Sequence, residues 1–159
     1  MAGYRPGSGT HGQRTDGPET AAVRGIRELL TSATYTVGER SDHVGLRLTG
    51  PVRHPAPGSP EIVSHGVPIG AIELPPSEEL IVLQRSRALT AGYPVAAIAT
   101  RASLPLLGQA GPGRRLRFRW RTLDQAVADE RAAARELDVV EARLASAYSA
   151  MGLTQVAEG

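Results

Sequence analysis

The chain has 159 residues, 41% hydrophobic and 21% charged, which is enough for one domain with a real core and too few for two of ordinary size. It contains no Cys, no Lys and no Asn, so all 18 basic residues are Arg. Thiol nucleophiles, cysteine zinc sites, disulfides, Schiff-base lysines, the phosphate-loop lysine, covalent biotin and N-glycosylation on this chain are therefore excluded. The formal charge of +2 is unevenly spread: 11 Arg face 6 acids from Ala33 to Arg121, and 3 Arg face 7 acids from Thr122 onward.

Residues 1–20 hold five Gly and two Pro with few large apolar side chains, so a disordered N-terminal tail is expected. From Ala21 to Ser32, Val23, Ile26, Leu29 and Leu30 fall at helical spacing and predict a short amphipathic helix. Between Ala33 and Arg121 the period shortens. Apolar or alternating runs at Thr34–Val37, Val44–Leu48, Ile69–Leu74, Leu80–Gln84, Val95–Thr100 and Leu116–Trp120 are separated by Gly and Pro clusters, which reads as a mainly β barrel or sandwich. A short helix is expected at Ser103–Gln109, with Ser103 as cap and Pro105 in the first turn. Residues 21–121 thus form the predicted barrel segment and 122–151 a C-terminal helix.

That last helix opens on Thr122-Leu123-Asp124-Gln125, a capping box, and runs about 28 residues without Gly or Pro. Leu137, Val140, Leu144, Ala147 and Met151 make a narrow apolar stripe. The stripe is expected to pack back on the barrel; the alternative is a docking helix for a partner chain. No apolar stretch suits a secretory signal or a membrane span, so a soluble, cytoplasmic protein is expected.

In Arg114 to Arg121, strand alternation sets Leu116, Phe118 and Trp120 on one face and Arg115, Arg117, Arg119 and Arg121 on the other. Aromatics opposite the Arg row cannot stack on bases, so the row reads as a solvated face rather than a nucleic-acid site, with pairing to the acidic C-terminal helix available to it. His11, His43, His54 and His65 show no metal-ligand spacing, and no metal is expected. Ser41-Asp42-His43 reads as a polar turn; adjacent residues are not how a catalytic triad assembles. Asp42 is the only Asp between Ala33 and Arg121.

Three ordered segments carry more. Ser41-Asp42-His43-Val44-Gly45-Leu46-Arg47-Leu48-Thr49-Gly50-Pro51, then Glu61 to Pro76 (EIVSHGVPIGAIELPP), then Thr90-Ala91-Gly92-Tyr93-Pro94, resemble the blocks SDRMGxRLxGP, EIxSEGVxxGAIQxPP and DxQTTGGYP. Those blocks belong to the family of the 5-oxoprolinase C subunit, also described as biotin-dependent carboxyltransferase or allophanate-hydrolase-subunit-2 type. The resemblance runs from about Leu29 to Tyr148 and covers the C-terminal half of the family's full-length chain, so this protein reads as a truncated or diverged relative. It implies a cyclophilin-like β-barrel with a short N-terminal and a long C-terminal helix. It also implies a role with partner chains, an oxoprolinase B-type subunit (allophanate hydrolase subunit 1-like) and the oxoprolinase A-type subunit, in ATP-dependent opening of 5-oxoproline to glutamate or a related carboxyl-transfer complex. A non-catalytic β-barrel interaction module is the alternative. His43, His65 and Glu73 replace Arg, Glu and Gln of the blocks, whereas the turn residues Gly45, Gly50, Pro51, Gly66, Gly70, Gly92 and Pro94 match.

The candidate substrate-binding residues are Asp42, His43, Arg47, His65, Glu73, Thr90 and Tyr93. Carboxyl groups accept from an amide N–H, Arg47 is suited to a carboxylate, and the hydroxyls of Thr90 and Tyr93 orient a small amide. No catalytic residue is singled out.

Overall fold

The computed structural model describes residues 25–53 and 62–153. The predicted N-terminal tail, the start of the first helix and the Pro-rich turn at 55–58 lie outside the described residues.

Helix α1 (Ile26–Ser32) leads into strands β1 (Thr34–Val37), β2 (Gly45–Thr49), β3 (His65–Gly66), β4 (Ala71–Glu73), β5 (Glu79–Leu83), β6 (Thr90–Ala91) and β7 (Val95–Ile98). A 3₁₀ turn (Arg101–Ser103), α2 (Leu104–Gly108), β8 (Arg115–Arg117) and α3 (Leu123–Ala150) complete the described chain. Six strands form one curled antiparallel sheet in the order β7-β4-β5-β2-β1-β8, and β3 pairs with β6 apart from it. The chain is mainly β, a half-barrel with a short N-terminal helix and a long C-terminal one.

Alternation divides the sheet into two faces. Tyr35 and Val37 on β1, Leu46 and Leu48 on β2, Leu80 and Val82 on β5 and Ile72 on β4 are all buried and build the main core. Helix α1 closes it with Ile26 and Leu30, one turn apart on the same face. Each such side chain removed from water contributes roughly 1.5–3 kcal/mol before entropy is counted. Tyr35 lies at the centre: its ring is 5.4 Å from that of Phe118, and its hydroxyl donates to the Pro51 carbonyl at 3.0 Å. The opposite face carries a smaller cluster of Val67, Ala71 and Leu83, joined by Ile81, Ala91 and Val95.

The sequence-based elements shift in several places, among them Ile69–Leu74, which shortens to Ala71–Glu73, and Val95–Thr100, which ends at Ile98 before the 3₁₀ turn. The predicted strand Leu116–Trp120 is shorter, Arg115–Arg117, because its partner β1 runs out: Thr34 pairs with Arg117 and the residue before it, Ala33, is already the cap of α1. Phe118 still enters the core, while Arg115, Arg117 and Arg119 are exposed and Arg121 Nε meets Asp129 Oδ2 at 3.1 Å. Ser103 does not cap α2. Its backbone is already helical (φ −90, ψ −15), and its hydroxyl instead bonds that of Thr100 at 2.8 Å. The strands β3 and β6 are two residues each and show no periodicity to read.

The capping box is present: Thr122 Oγ1 accepts from Gln125 N–H at 3.2 Å and Gln125 Oε1 from Thr122 N–H at 3.0 Å. The expected packing of the stripe on the barrel is not. Only the first turns of α3 meet the body, where Arg101 Nε and Glu130 Oε1 lie 3.1 Å apart, and Leu137 (65%), Val140 (50%), Leu144 (50%) and Met151 (61%) are left exposed. A straight helix of this length outruns the barrel it starts from, since each residue adds ~1.5 Å of rise. Among the described residues no helix is long and apolar enough to cross a membrane.

Two glycines separate contact from propensity. A Cβ on Gly50 would lie 2.5 Å from Tyr35 Cδ1, whereas one on Gly108, at the end of α2, would meet nothing within 4 Å. Gly50→Ala is therefore expected to destabilise by about 1–3 kcal/mol through overpacking, and Gly108→Ala to be neutral or stabilising by up to about 1 kcal/mol. Urea unfolding midpoints check both signs; equal effects would show that the Tyr35 contact does not constrain the fold.

Candidate functional site

The second face of the sheet forms the floor of a cleft of about 630 Å³. Its polar groups come from separate segments: Asp42 from the turn before β2, Arg47 from β2, Glu73 from β4, Thr90 from β6 and Tyr93 from the loop after it. Ile62, Val67, Ile81 and Leu83 supply apolar walls.

Asp42 is set by its own turn. Its Oδ1 accepts from Val44 N–H at 2.8 Å and from Gly45 N–H at 3.0 Å, an Asx-type turn that swings the chain into β2. These backbone donors, first Gly45 and then Val44, hold the exposed Asp42 carboxyl below the usual carboxylate range. Gly45 has a further reason to lack a side chain: a Cβ there would come 2.8 Å from Ile81 Cγ2 across the ladder. Ser41 Oγ accepts from Arg47 N–H at 3.0 Å and fixes the start of the strand that presents Arg47.

Arg47 is half-exposed, with Nη1 3.5 Å from Glu79 Oε2; Glu79 Oε1 in turn takes Arg40 Nη2 at 2.8 Å. One guanidinium edge is thus engaged by the protein, and the group still lines the cleft. Glu73 is the opposite case. It sits where β4 meets β7 with a register shift between Ile72 and Glu73, it is 2% exposed, and its Oε1 has no hydrogen-bond partner. Desolvation pushes the Glu73 carboxyl above its ordinary value, opposed in part by the nearby His65. Tyr93, 40% exposed, and the exposed Thr90 stand on the opposite wall, where Gly92 passes so near Ile62 that a Cβ would be 3.2 Å from its carbonyl.

The fold brings five of the seven predicted candidates to one cleft: Asp42, Arg47, Glu73, Thr90 and Tyr93. It does not place His43 and His65 on its lining. His43 is exposed and contributes its backbone carbonyl to Ser86 N–H at 3.1 Å, and the His65 ring lies 3.4 Å from the Val63 carbonyl. Ser64 lines the cleft and Glu79 braces Arg47, though neither was a candidate. Only the pairing of β2 with β5, Thr49 opposite Glu79, reveals the second.

The pattern of the carboxyltransferase domain, subdomain A and B, matches residues 6–120. The chain belongs to that family. Its similarity to the C subunit of 5-oxoprolinase from Haemophilus influenzae is 30% identity over 95 residues, 58% of this chain and 29% of that protein, so the match spans less than a third of the relative's length. Among solved structures, TTHA0988 is similar with 35% identity and a TM-score of 0.51, over 62% of this chain and 18% of that one. The urea amidolyase of Kluyveromyces lactis shares the fold at 21% identity and a TM-score of 0.53, over 60% of this chain and 6% of that one. The matched region is thus a small part of much larger proteins.

The Glu73 shift has a sign. Because folding raises its pKa, the native state holds a proton that the unfolded chain gives up, and the associated stability is present at low pH and is lost as pH rises through the folded-state value. The gap between wild type and Glu73→Gln, read from urea midpoints between pH 4 and pH 8, is expected to move steadily in favour of the variant as pH rises. A constant gap would mean that burial of Glu73 does not bias its proton.

Proposed function

We propose that the chain is a component of the C-subunit type in an ATP-dependent 5-oxoprolinase or a related carboxyltransferase complex, and that it acts together with partner chains. The observation that carries this reading is the convergence of Arg47, Asp42 and the buried, unpartnered Glu73 on one cleft of a carboxyltransferase-family sheet. The similarity to a protein named as the C subunit of 5-oxoprolinase supports the substrate class.

A small cyclic amide with a carboxylate suits the cleft. The free edge of Arg47 takes the carboxylate, Glu73 meets the ring amide at the floor, and Tyr93 and Thr90 bound the open side. Asp42 accepts an N–H donor at the mouth. The cleft does not suit ATP: its single guanidinium is already half engaged by Glu79, and Asp42 and Glu73 oppose a triphosphate. ATP is therefore assigned to the partner chains, the oxoprolinase B-type and A-type subunits. Covalent biotin, where a related complex uses it, must ride elsewhere, because this chain has no Lys.

Co-expression with B-type and A-type partner chains tests the proposal by ATP-dependent formation of glutamate from 5-oxoproline. Glutamate formation above that of the partners alone is expected, with Arg47→Ala lowering it about 10- to 100-fold, as loss of a charge-assisted hydrogen bond implies. No gain over the partners alone overturns it.

A second reading, a non-catalytic interaction module, is favoured by the exposed stripe on α3. Removal of residues 134–153 is then expected to abolish co-purification with the B-type partner while leaving the β circular dichroism intact. Retained co-purification excludes α3 as the docking element.

A further inference from the structure

Among the described residues Glu73 is the one buried acidic residue. Exposed Asp42 accepts two backbone amides on Oδ1, and Glu79 faces two guanidiniums. Glu73 is buried at the floor of the cleft; its backbone is paired in the ladder, but its Oε1 has no hydrogen-bond partner and no ion pair to its carboxyl is formed among the described residues. The titratable and charged groups that share the cleft with it are Arg47 on β2, already turned to Glu79 on β5, Asp42 before β2 and Tyr93 beyond β6, and His65 on β3 is near enough to act on its charge.

An ionised carboxylate in that position leaves Oε1 out of water with no donor in return. Keeping the proton avoids the cost and changes the chemistry of the floor: a carboxylic acid offers one O–H donor besides its carbonyl acceptor, whereas a carboxylate only accepts. The burial also pushes the carboxyl up, in the direction this requires, and a protonated His65 acts against it. A donor at the bottom of a cleft calls for an acceptor oxygen on whatever enters.

We infer that Glu73 is a specificity-determining residue which works as a neutral carboxylic acid, donating its O–H to a carbonyl or carboxylate oxygen of the ligand and so selecting against molecules that bring an ammonium or guanidinium to the floor. The inference deepens the ligand site proposed above and rests on it. A cation at this point would have to draw the proton off Glu73 and be desolvated itself; a neutral amide needs neither.

Carboxyl-carbon NMR of the full chain with labelled glutamate reads the proton directly. In the pH range where free glutamate ionises, one signal of a neutral acid is expected to persist, and it should be missing in Glu73→Gln, which keeps the shape and a donor. Binding of 5-oxoproline and of proline, which replaces the ring carbonyl and neutral amide by an ammonium, then reads the preference. The expected result is at least tenfold tighter binding of 5-oxoproline, weakening by about tenfold per pH unit above the Glu73 titration in wild type and independent of pH in Glu73→Gln. A Glu73 that ionises together with free glutamate, equal or tighter binding of proline, or the same pH slope in Glu73→Gln overturns the inference. A neutral Glu73 with neither probe bound overturns the ligand reading of the cleft and the preference with it, while the proton on Glu73 stands.

Discussion

The five-residue ladder between β2 and β5 is the constraint on which the remaining structure depends. Gly45 lies opposite Leu83, Leu46 opposite Val82, Arg47 opposite Ile81, Leu48 opposite Leu80 and Thr49 opposite Glu79. Because side chains alternate strictly, this one register sends Leu46, Leu48, Leu80 and Val82 into the core and sends Arg47, Ile81 and Glu79 to the cleft side. A slip of one residue would bury the guanidinium and expose the leucines. The ladder therefore makes the core and the cleft at once, and neither has an independent origin.

Around it, local chemistry aims the ligand-facing groups. The turn closed by Asp42 delivers β2 in register, and Gly45 leaves the space that lets Ile81 approach from β5. Alternation along β4 and the pairing of Glu73 with Ile81 on β5 put Glu73 on the cleft side, and the register shift is taken up on β7, where Ala96 is the extra residue. The result sets an engaged cation beside an unengaged acid. Groups whose surroundings drive their proton affinities apart, as Asp42 and Glu73 are, are a recurring mark of sites that handle small polar ligands.

The C-terminal helix follows another logic. Its start is tied to the body by Arg101–Glu130 and Arg121–Asp129, while its apolar stripe is exposed among the described residues. Among the described residues the basic row that starts on β8 meets the acidic helix at one point beyond the strand, Arg121 with Asp129, and Arg115, Arg117 and Arg119 stay in solvent. Charge balance along the sequence describes the surface but does not bring distant charges into contact, since exposed pairs are worth only about 0–1 kcal/mol.

Much of this was legible in the amino-acid order. Alternation placed β1 at its observed bounds, Thr34–Val37, and the capping box located the start of α3, because both signals are local and repeat within a few residues. The three ordered blocks pointed to the family and nominated five residues that the fold gathers in one cleft. What the order could not show depends on distance. Whether a stripe such as that from Leu137 to Met151 is covered, whether His65 lines the cleft or stands behind it, and whether Glu73 finds a donor are all decided by which segments come to lie side by side. Periodicity states which face of an element is apolar; only tertiary pairing states what that face meets, and the energy of a buried charge depends on the second.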